Sequence, residues 1–354
     1  MAIDGRILSF ASEFRGYSHQ LQFLFGGGAM TSEILASIGQ QGWRIKRLIS
    51  VDAARAVIAV GPPGAGEPAA VIKVSRNREA AAVMARERKV LSQIRSDPRL
   101  AEIAPLIPTE RAWGRIGEHA FVVEGALPGV DARAMLDDQA LSARMQSAAL
   151  EVAAILHGRT ARTVTVGRAL TNRWIAEPLQ RIERLGASFP RIGVHAHAID
   201  ALRDAMTEAL TGRTVVVSWL HGDFFPGNIL VSPDAMSVTG LVDWDLAAPD
   251  ELPVLDTMQL LIGTHLLRSR SELGATVREM LDGGGLSAAD LQTIRKEELR
   301  SGAEGLTIRE AAVLTWLRHI GCNLTKSGHF RRHRLWVKAN VEAVLESLSA
   351  VAWV

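Results

Sequence analysis

Three apolar runs, IKRLISV (45–51), ARAVIAV (54–60) and AAVIKVS (69–75), follow one another with turn-forming residues between them, of which Pro62-Pro63-Gly64 is the clearest break. β-Branched residues in short runs predict strands, and the short connections predict antiparallel pairing. Residues 78–95 then switch to a helical period, and FVVE (121–124) supplies another strand before Leu127-Pro128-Gly129 interrupts the pattern. Beyond that break the period is mainly helical, over 140–157, 172–187, 195–211, 252–268, 287–300, 307–321 and 335–349. Only VVVSWL (215–220), NILV (228–231) and VTGLVDW (238–244) read as strands there. The pattern predicts an α+β fold with a small antiparallel-sheet lobe at 31–125 and a larger, mainly helical lobe at 126–354. Residues 1–25 read as a helix followed by Gly26-Gly27-Gly28, so 1–30 are expected to be an N-terminal extension.

Composition narrows the function classes. The 354 residues are 47% hydrophobic and 22% charged, enough apolar surface for a packed core. Forty Lys and Arg against 38 Asp and Glu leave a net charge of +2, far from the dense positive field of a non-specific nucleic-acid binder. No nucleic-acid partner is expected. The single cysteine, Cys322, can form neither an internal disulfide nor a Cys-rich zinc site, which fits a reducing cytoplasm. Asp4, Arg6, Glu13 and Arg15 break up the N-terminus, so no export signal is expected. The longest mostly apolar stretch, 254–267, contains Asp256 and His265 and is shorter than the roughly 20 residues that span a bilayer.

The densest chemistry lies in HGDFFPGNILVSPDAMSVTGLVDWD, residues 221–245. Asp223 and Asn228 follow one apolar strand, and Asp243 closes the next, reached through a Ser232-Pro233-Asp234 turn. A hairpin of this kind brings three oxygen-bearing side chains together. Asn228 and Asp243 suit a hard cation such as Mg²⁺, which takes a few protein oxygens and completes its shell with phosphate and water. Asp223 is placed to orient a hydroxyl and accept its proton. In the front lobe Lys73 stands in an otherwise apolar strand. On the following helix Ala80, Met84, Leu91 and Ile94 form an apolar stripe in which Glu87 replaces a hydrophobe. A carboxylate on such a stripe calls for a cationic partner, and Lys73 is the expected one, with Glu79 the weaker alternative for the pairing.

The sequence HGDFFPGNIL followed by LVDWD resembles the aminoglycoside phosphotransferase and choline kinase group of protein-kinase-like enzymes, over about residues 31–270. The resemblance implies a bilobal kinase-like fold and ATP (or GTP) with Mg²⁺ as cofactors. It also implies roles: Asp223 as catalytic base, Asn228 and Asp243 as metal ligands, Lys73 on the nucleotide phosphates, Glu87 holding Lys73. His221 would brace the loop, and Asp256, 13 positions after Asp243, would tie it down. No G-x-G-x-x-G joins the first two strands. Phosphate cradling then falls to the backbone of Leu48–Ala54 and to Ser50, and adenine to the backbone from Glu124 to Ala126. Phe225 stands where Ser/Thr protein kinases carry a lysine, and the short stretch after Asp243 leaves little room for a peptide. The expected activity is therefore transfer of a γ-phosphoryl group to a hydroxyl of a small molecule, such as an antibiotic, sugar or amino alcohol. The alternative is a non-catalytic nucleotide-binding scaffold.

Six Lys or Arg and no Asp or Glu lie between Arg318 and Lys338, with His319, His329 and His333 among them. The segment reads either as a solvated basic face or as the lining for a neutral or anionic acceptor. His195 and His197 read as surface or helix-start residues, His157 as a packed or helix-end residue, and Cys322 as a buried small hydrophobe. Acceptor identity, nucleotide preference and oligomeric state are not encoded in any readable pattern.

Overall fold

A computed structural model describes residues 29–52, 54–301, 305–326 and 328–350. The helix expected over 1–25 and its glycine joint lie outside the described residues. The chain forms two compact units, the first made of the described residues up to Met84 with Thr109–Ala126, the second of Ala85–Pro108 with Leu127 onward.

In the first unit, helix α1 (Ala29–Ser37) precedes strands β1 (Arg44–Val51), β2 (Arg55–Gly61) and β3 (Ala70–Ser75). Helix α2 (Arg78–Ser96) begins here, its first turn capped by Asn77, whose Oδ1 accepts from the Ala80 amide at 2.8 Å. Strands β4 (Glu110–Ile116) and β5 (His119–Gly125) complete an antiparallel sheet of order β1-β2-β3-β5-β4. The inner strands β2 and β3 are buried nearly throughout, which is why they read as continuous apolar runs. Ile34 and Leu35 of α1 pack with Ile58, Val60, Ile72, Val74, Phe121 and Val123. Strand β4 was not foreseen from the pattern. Its inward positions are Ala112, Gly114 and Ile116, and small residues there erase the hydrophobic alternation. Gly114 is small because a Cβ would sit 2.9 Å from the Phe121 ring.

The second unit opens with the rest of α2, whose part of the stripe, Glu87, Leu91 and Ile94, is buried as the spacing predicts. Strand β6 (Val130–Asp131) precedes helix α3 (Gln139–Thr160), capped by Asp138 on the Ala140 and Leu141 amides at 2.8 and 2.9 Å. Strand β7 (Arg162–Thr165) is followed by the stretch expected to be helical over 172–187. That stretch starts as a π-helical turn at Asn172–Ala176 and continues as α4 (Glu177–Leu185). Helix α5 (Ala196–Leu210) leads to strands β8 (Thr214–Leu220), β9 (Ile229–Val231), β10 (Val238–Leu241) and β11 (Ala248–Glu251). They form two small sheets, β10-β9-β6 and β11-β8-β7.

Helices α6 (Val254–Ser269), α7 (Leu273–Leu281), α8 (Ala288–Ser301), α9 (Ile308–Lys326) and α10 (Ala343–Ala350) complete the described residues. Helix α7 escaped the sequence pattern because Gly274 weakens its helical signal. The glycine is needed there, since a Cβ would collide with the Ala339 carbonyl. One core in this unit joins α2, α3, β9 and β10, and another joins α4 to α7 with α9 and α10. Among the described residues no helix is long and apolar enough to cross a membrane.

Candidate active site

Strand β8 ends in a buried apolar residue, Leu220, and delivers His221-Gly222-Asp223 into a loop whose backbone is fixed by side chains far away in sequence. Asp256, fully buried on α6, accepts from the His221 and Gly222 amides at 2.8 and 2.9 Å and from His157 Nε2 at 3.2 Å. Gln259, one turn along, accepts from the Phe224 amide at 2.9 Å and donates to the Gly222 carbonyl at 3.0 Å. Gly222 has φ +81°, and a Cβ there would collide with the Leu246 carbonyl and the Arg318 guanidinium. The motif glycine thus answers both to backbone conformation and to space.

His221 is enclosed by Phe224 and Trp244, with ring centroids 5.8 and 4.5 Å away. Its Nε2 donates to the Val242 carbonyl at 3.0 Å, and its Nδ1 accepts from the Asp223 amide at 3.3 Å. The ring therefore ties the loop to the end of the β9–β10 hairpin as a neutral imidazole. Asn228 closes the loop on itself, donating from Nδ2 to the Asp223 carbonyl at 2.9 Å and to Asp223 Oδ2 at 3.0 Å. The hairpin expected from the sequence is present, its Ser232-Pro233-Asp234 turn held by Ser232 Oγ on Asp234 Oδ1 at 2.6 Å. Asp243 lies two residues beyond β10 at φ +65°, a left-handed conformation that a non-glycine residue rarely adopts. The charges of Asp256, Asp223 and Asp243 all act on the His221 ring.

Burial pushes the His221 imidazole below its ordinary value, against the pull of those three carboxylates. His319 is lowered for the same reason. Asp256 is held low as well: burial acts to raise it, but the hydrogen bonds it accepts from His157 and from the Gly222 amide prevail. The sign of the pH dependence follows. In the unfolded chain the histidines protonate near their ordinary value of about 6.5, while the folded rings resist, so the unfolded state binds more protons in the window below it. Stability is expected to be complete above about pH 6.5 and to fall as pH drops, by roughly one kcal/mol per pH unit for each ring. The Asp256 contribution is lost only at lower pH, below the ordinary aspartate value of about 3.9. Urea unfolding at pH 7.5, 6.5 and 5.5 measures the slope, and His319→Gln should flatten it; equal stability at all three pH values contradicts neutral buried rings.

In the first unit Lys73 pairs with Val57 and Val122 across the sheet. Its Nζ lies 3.1 Å from Glu124 Oε2, both side chains buried, a partner the linear pattern did not suggest. Ser50 is half-buried on the edge strand β1. At the end of β5, the Gly125 amide donates to the Thr109 carbonyl at 2.8 Å and the Ala126 amide to the Ala69 carbonyl at 3.2 Å. In the second unit Glu87 is buried and accepts from the Trp244 amide, next to Asp243, at 3.2 Å.

The basic segment after 318 divides. Arg331, Arg332, Arg334 and Lys338 are exposed. Arg318 turns inward instead, donating to the Gly222 carbonyl and to the Leu246 carbonyl at 2.7 Å, and Lys326 Nζ lies 2.7 Å from the buried Asp245 Oδ2. Their only sequence signal is position: Arg318 and Lys326 lie eight residues apart on α9, the spacing that returns to one helical face. Cys322, between them, is half-buried rather than a core residue, because it borders a cavity in this unit. His157 is packed as expected, but its partner is Asp256, 99 positions away.

Residues 47–296 match the phosphotransferase enzyme family. None of the curated proteins compared matches the chain. Among solved structures it is similar to the aminoglycoside phosphotransferase APH(3'')-Id of Streptomyces rimosus ATCC10970, in complex with ADP and streptomycin. That match has a TM-score of 0.52 at 15% identity, over 85% of this chain and 98% of that one. A GDP complex of an aminoglycoside 2'-phosphotransferase-IIIa variant gives 0.55 at 17% identity, over 91% and 97%. A gentamicin complex of APH(2'')-IIa gives 0.53 at 13% identity, over 92% and 97%. These likenesses establish the fold, a kinase-like α+β arrangement with an antiparallel sheet in one unit and a mainly helical second unit. With the family match extending over well more than half of its residues, the chain belongs to the phosphotransferase enzyme family.

Proposed function

We propose that this protein transfers the γ-phosphoryl group of ATP or GTP to a hydroxyl of a small molecule. The observation that carries the reading is the Asp223 carboxylate, fixed by Asn228 at 3.0 Å in a loop whose amides are anchored to Asp256. A carboxylate so held can orient an acceptor hydroxyl and take its proton as the phosphorus–oxygen bond forms, while the nucleoside diphosphate leaves. The donor set suits a hard cation, since Asp243 offers a carboxylate and Asn228, with its Nδ2 engaged by Asp223, offers its amide oxygen. Among the described residues no cluster of three or more His, Cys, Asp or Glu side chains is arranged to hold a metal by itself. Asn228 and Asp243 would hold a magnesium ion, which when bound would supply neutralisation of phosphate charge.

In this reading Lys73 carries positive charge to the phosphates, Ser50 and its neighbouring amides cradle them, and the Glu124–Ala126 backbone receives the base. Within its own unit the Lys73 ammonium is held by Glu124, while the role proposed for Glu87 is to position Lys73. The nucleotide assignment is supported by the named complexes of the similar proteins, which hold ADP and GDP. The test is a coupled assay of ADP release, with Mg²⁺, over aminoglycosides, sugars, amino alcohols and hydroxy acids, followed by mass spectrometry of any compound consumed. A product carrying one added phosphoryl group is the expected result. Magnesium-dependent ATP binding with no phosphorylated product across the panel would instead establish a non-catalytic scaffold.

A further inference from the structure

The second unit encloses a cavity of about 160 Å³ between α4, α9 and the stretch from Leu246 to Leu255. Its volume is close to the roughly 150 Å³ that admits a benzene-sized molecule. Four arginines reach it, Arg86, Arg173, Arg181 and Arg318, against two carboxylates, Glu177 and Glu251. The available pairings are loose: Arg173 to Glu251 and Arg181 to Glu177 are both 3.5 Å. Arg318 spends its hydrogen bonds on the Gly222 and Leu246 carbonyls, and among the described residues the charges of Glu251, Asp256 and Asp223 act on it without a direct ion pair. Burial also pushes the Glu251 carboxyl up, against the charges of Arg318 and Arg173, which weakens the negative side of the balance. The remaining wall is apolar, with Trp174, Leu252 and Leu314. Through Arg318 the cavity touches the residue immediately before Asp223.

We propose that this cavity receives an anionic group of the acceptor, a carboxylate or a phosphate, so that the substrate is an acidic hydroxy compound and not a polycation. The inference rests on the phosphotransferase reading above. Guanidinium groups bind such oxyanions with charge-assisted, often paired hydrogen bonds, and they repel ammonium groups brought into the same space. The apolar wall adds contact for the carbon skeleton next to the acid.

The experiment measures binding by calorimetry and thermal shift with the nucleotide site filled by Mg²⁺ and AMP-PNP. The probes are gluconate, glucose 6-phosphate, glucose and gentamicin; the first two separate carboxylate from phosphate. Either anion is expected to bind more tightly than glucose, and gentamicin not at all. Arg181→Gln and the exposed Arg86→Ala are each expected to weaken the anion by about tenfold or more, the range for a lost charge-assisted hydrogen bond. Unfolding midpoints without ligand report whether both variants fold. Retained AMP-PNP binding with no preference for the anions, or with gentamicin bound most tightly, overturns the inference and leaves the phosphotransferase reading standing. Equal anion affinity in parent and both variants also overturns it. Failure of the parent to bind either AMP-PNP or GMP-PNP overturns both.

Discussion

Asp223→Asn is expected to lower kcat by about 10²- to 10⁴-fold, the contribution of a positioned general base, while nucleotide affinity stays close to that of the parent. The substitution is nearly isosteric. Asn228 Nδ2 donates to Asp223 Oδ2 at 3.0 Å, and an asparagine can present its carbonyl oxygen to the same donor. The loop is anchored mainly through backbone groups at 221, 222 and 224, none of which the change removes. What is lost is the acceptor for the hydroxyl proton and the negative charge that orients it. Steady-state ADP release on the acceptor identified by the panel gives kcat and KM, and calorimetry with AMP-PNP gives nucleotide affinity. A variant turning over within a fewfold of the parent would remove Asp223 from the reaction.

The second large effect is expected at a residue that touches no substrate. Asp256→Ala takes the acceptor from the His221 amide, the Gly222 amide and His157 Nε2 at once, in a fully buried place. Each buried donor left without a partner costs about 1–3 kcal/mol, and three are left here. That is a large part of the 5–15 kcal/mol that usually holds a domain together. Urea unfolding should show a midpoint far below the parent's, with activity reduced because Asp223 loses the backbone that aims it. Asp256→Asn should be milder, since one oxygen remains an acceptor. His157→Gln combined with Asp256→Ala should cost less than the sum of the two singly, because the partners share one interaction. Full additivity would mean that His157 and Asp256 are not coupled.

The parts of the fold that were legible are those in which burial writes itself into the local pattern. Strands β2 and β3 are buried along most of their length, so nearly every residue had to be apolar and the runs stood out, with Lys73 the conspicuous exception. The β9–β10 hairpin announced itself by turn chemistry at 232–234. Strand β4 and helix α7 failed the same reading because small residues, Gly114 and Gly274, occupy positions where another side chain or backbone comes too close for a Cβ. Spatial constraint overrode the periodic signal at both places.

The candidate site divides along a similar line. Asp223, Asn228 and Asp243 lie within 21 consecutive residues; Asn228 and Asp243 flank the β9–β10 hairpin, so their approach follows from local strand pairing, whereas the Asp223 loop also needs Asp256 and Gln259 from α6. The partners of the charged groups do not follow. Glu124 meets Lys73 through the register of β3 and β5, His157 meets Asp256 across 99 positions, and Arg318 reaches the Gly222 carbonyl across 96. Periodicity encodes which face of an element is buried, because water sorts apolar from polar side chains locally. Which buried ion answers which other depends on how separate elements pack, and no single stretch of chain carries that information.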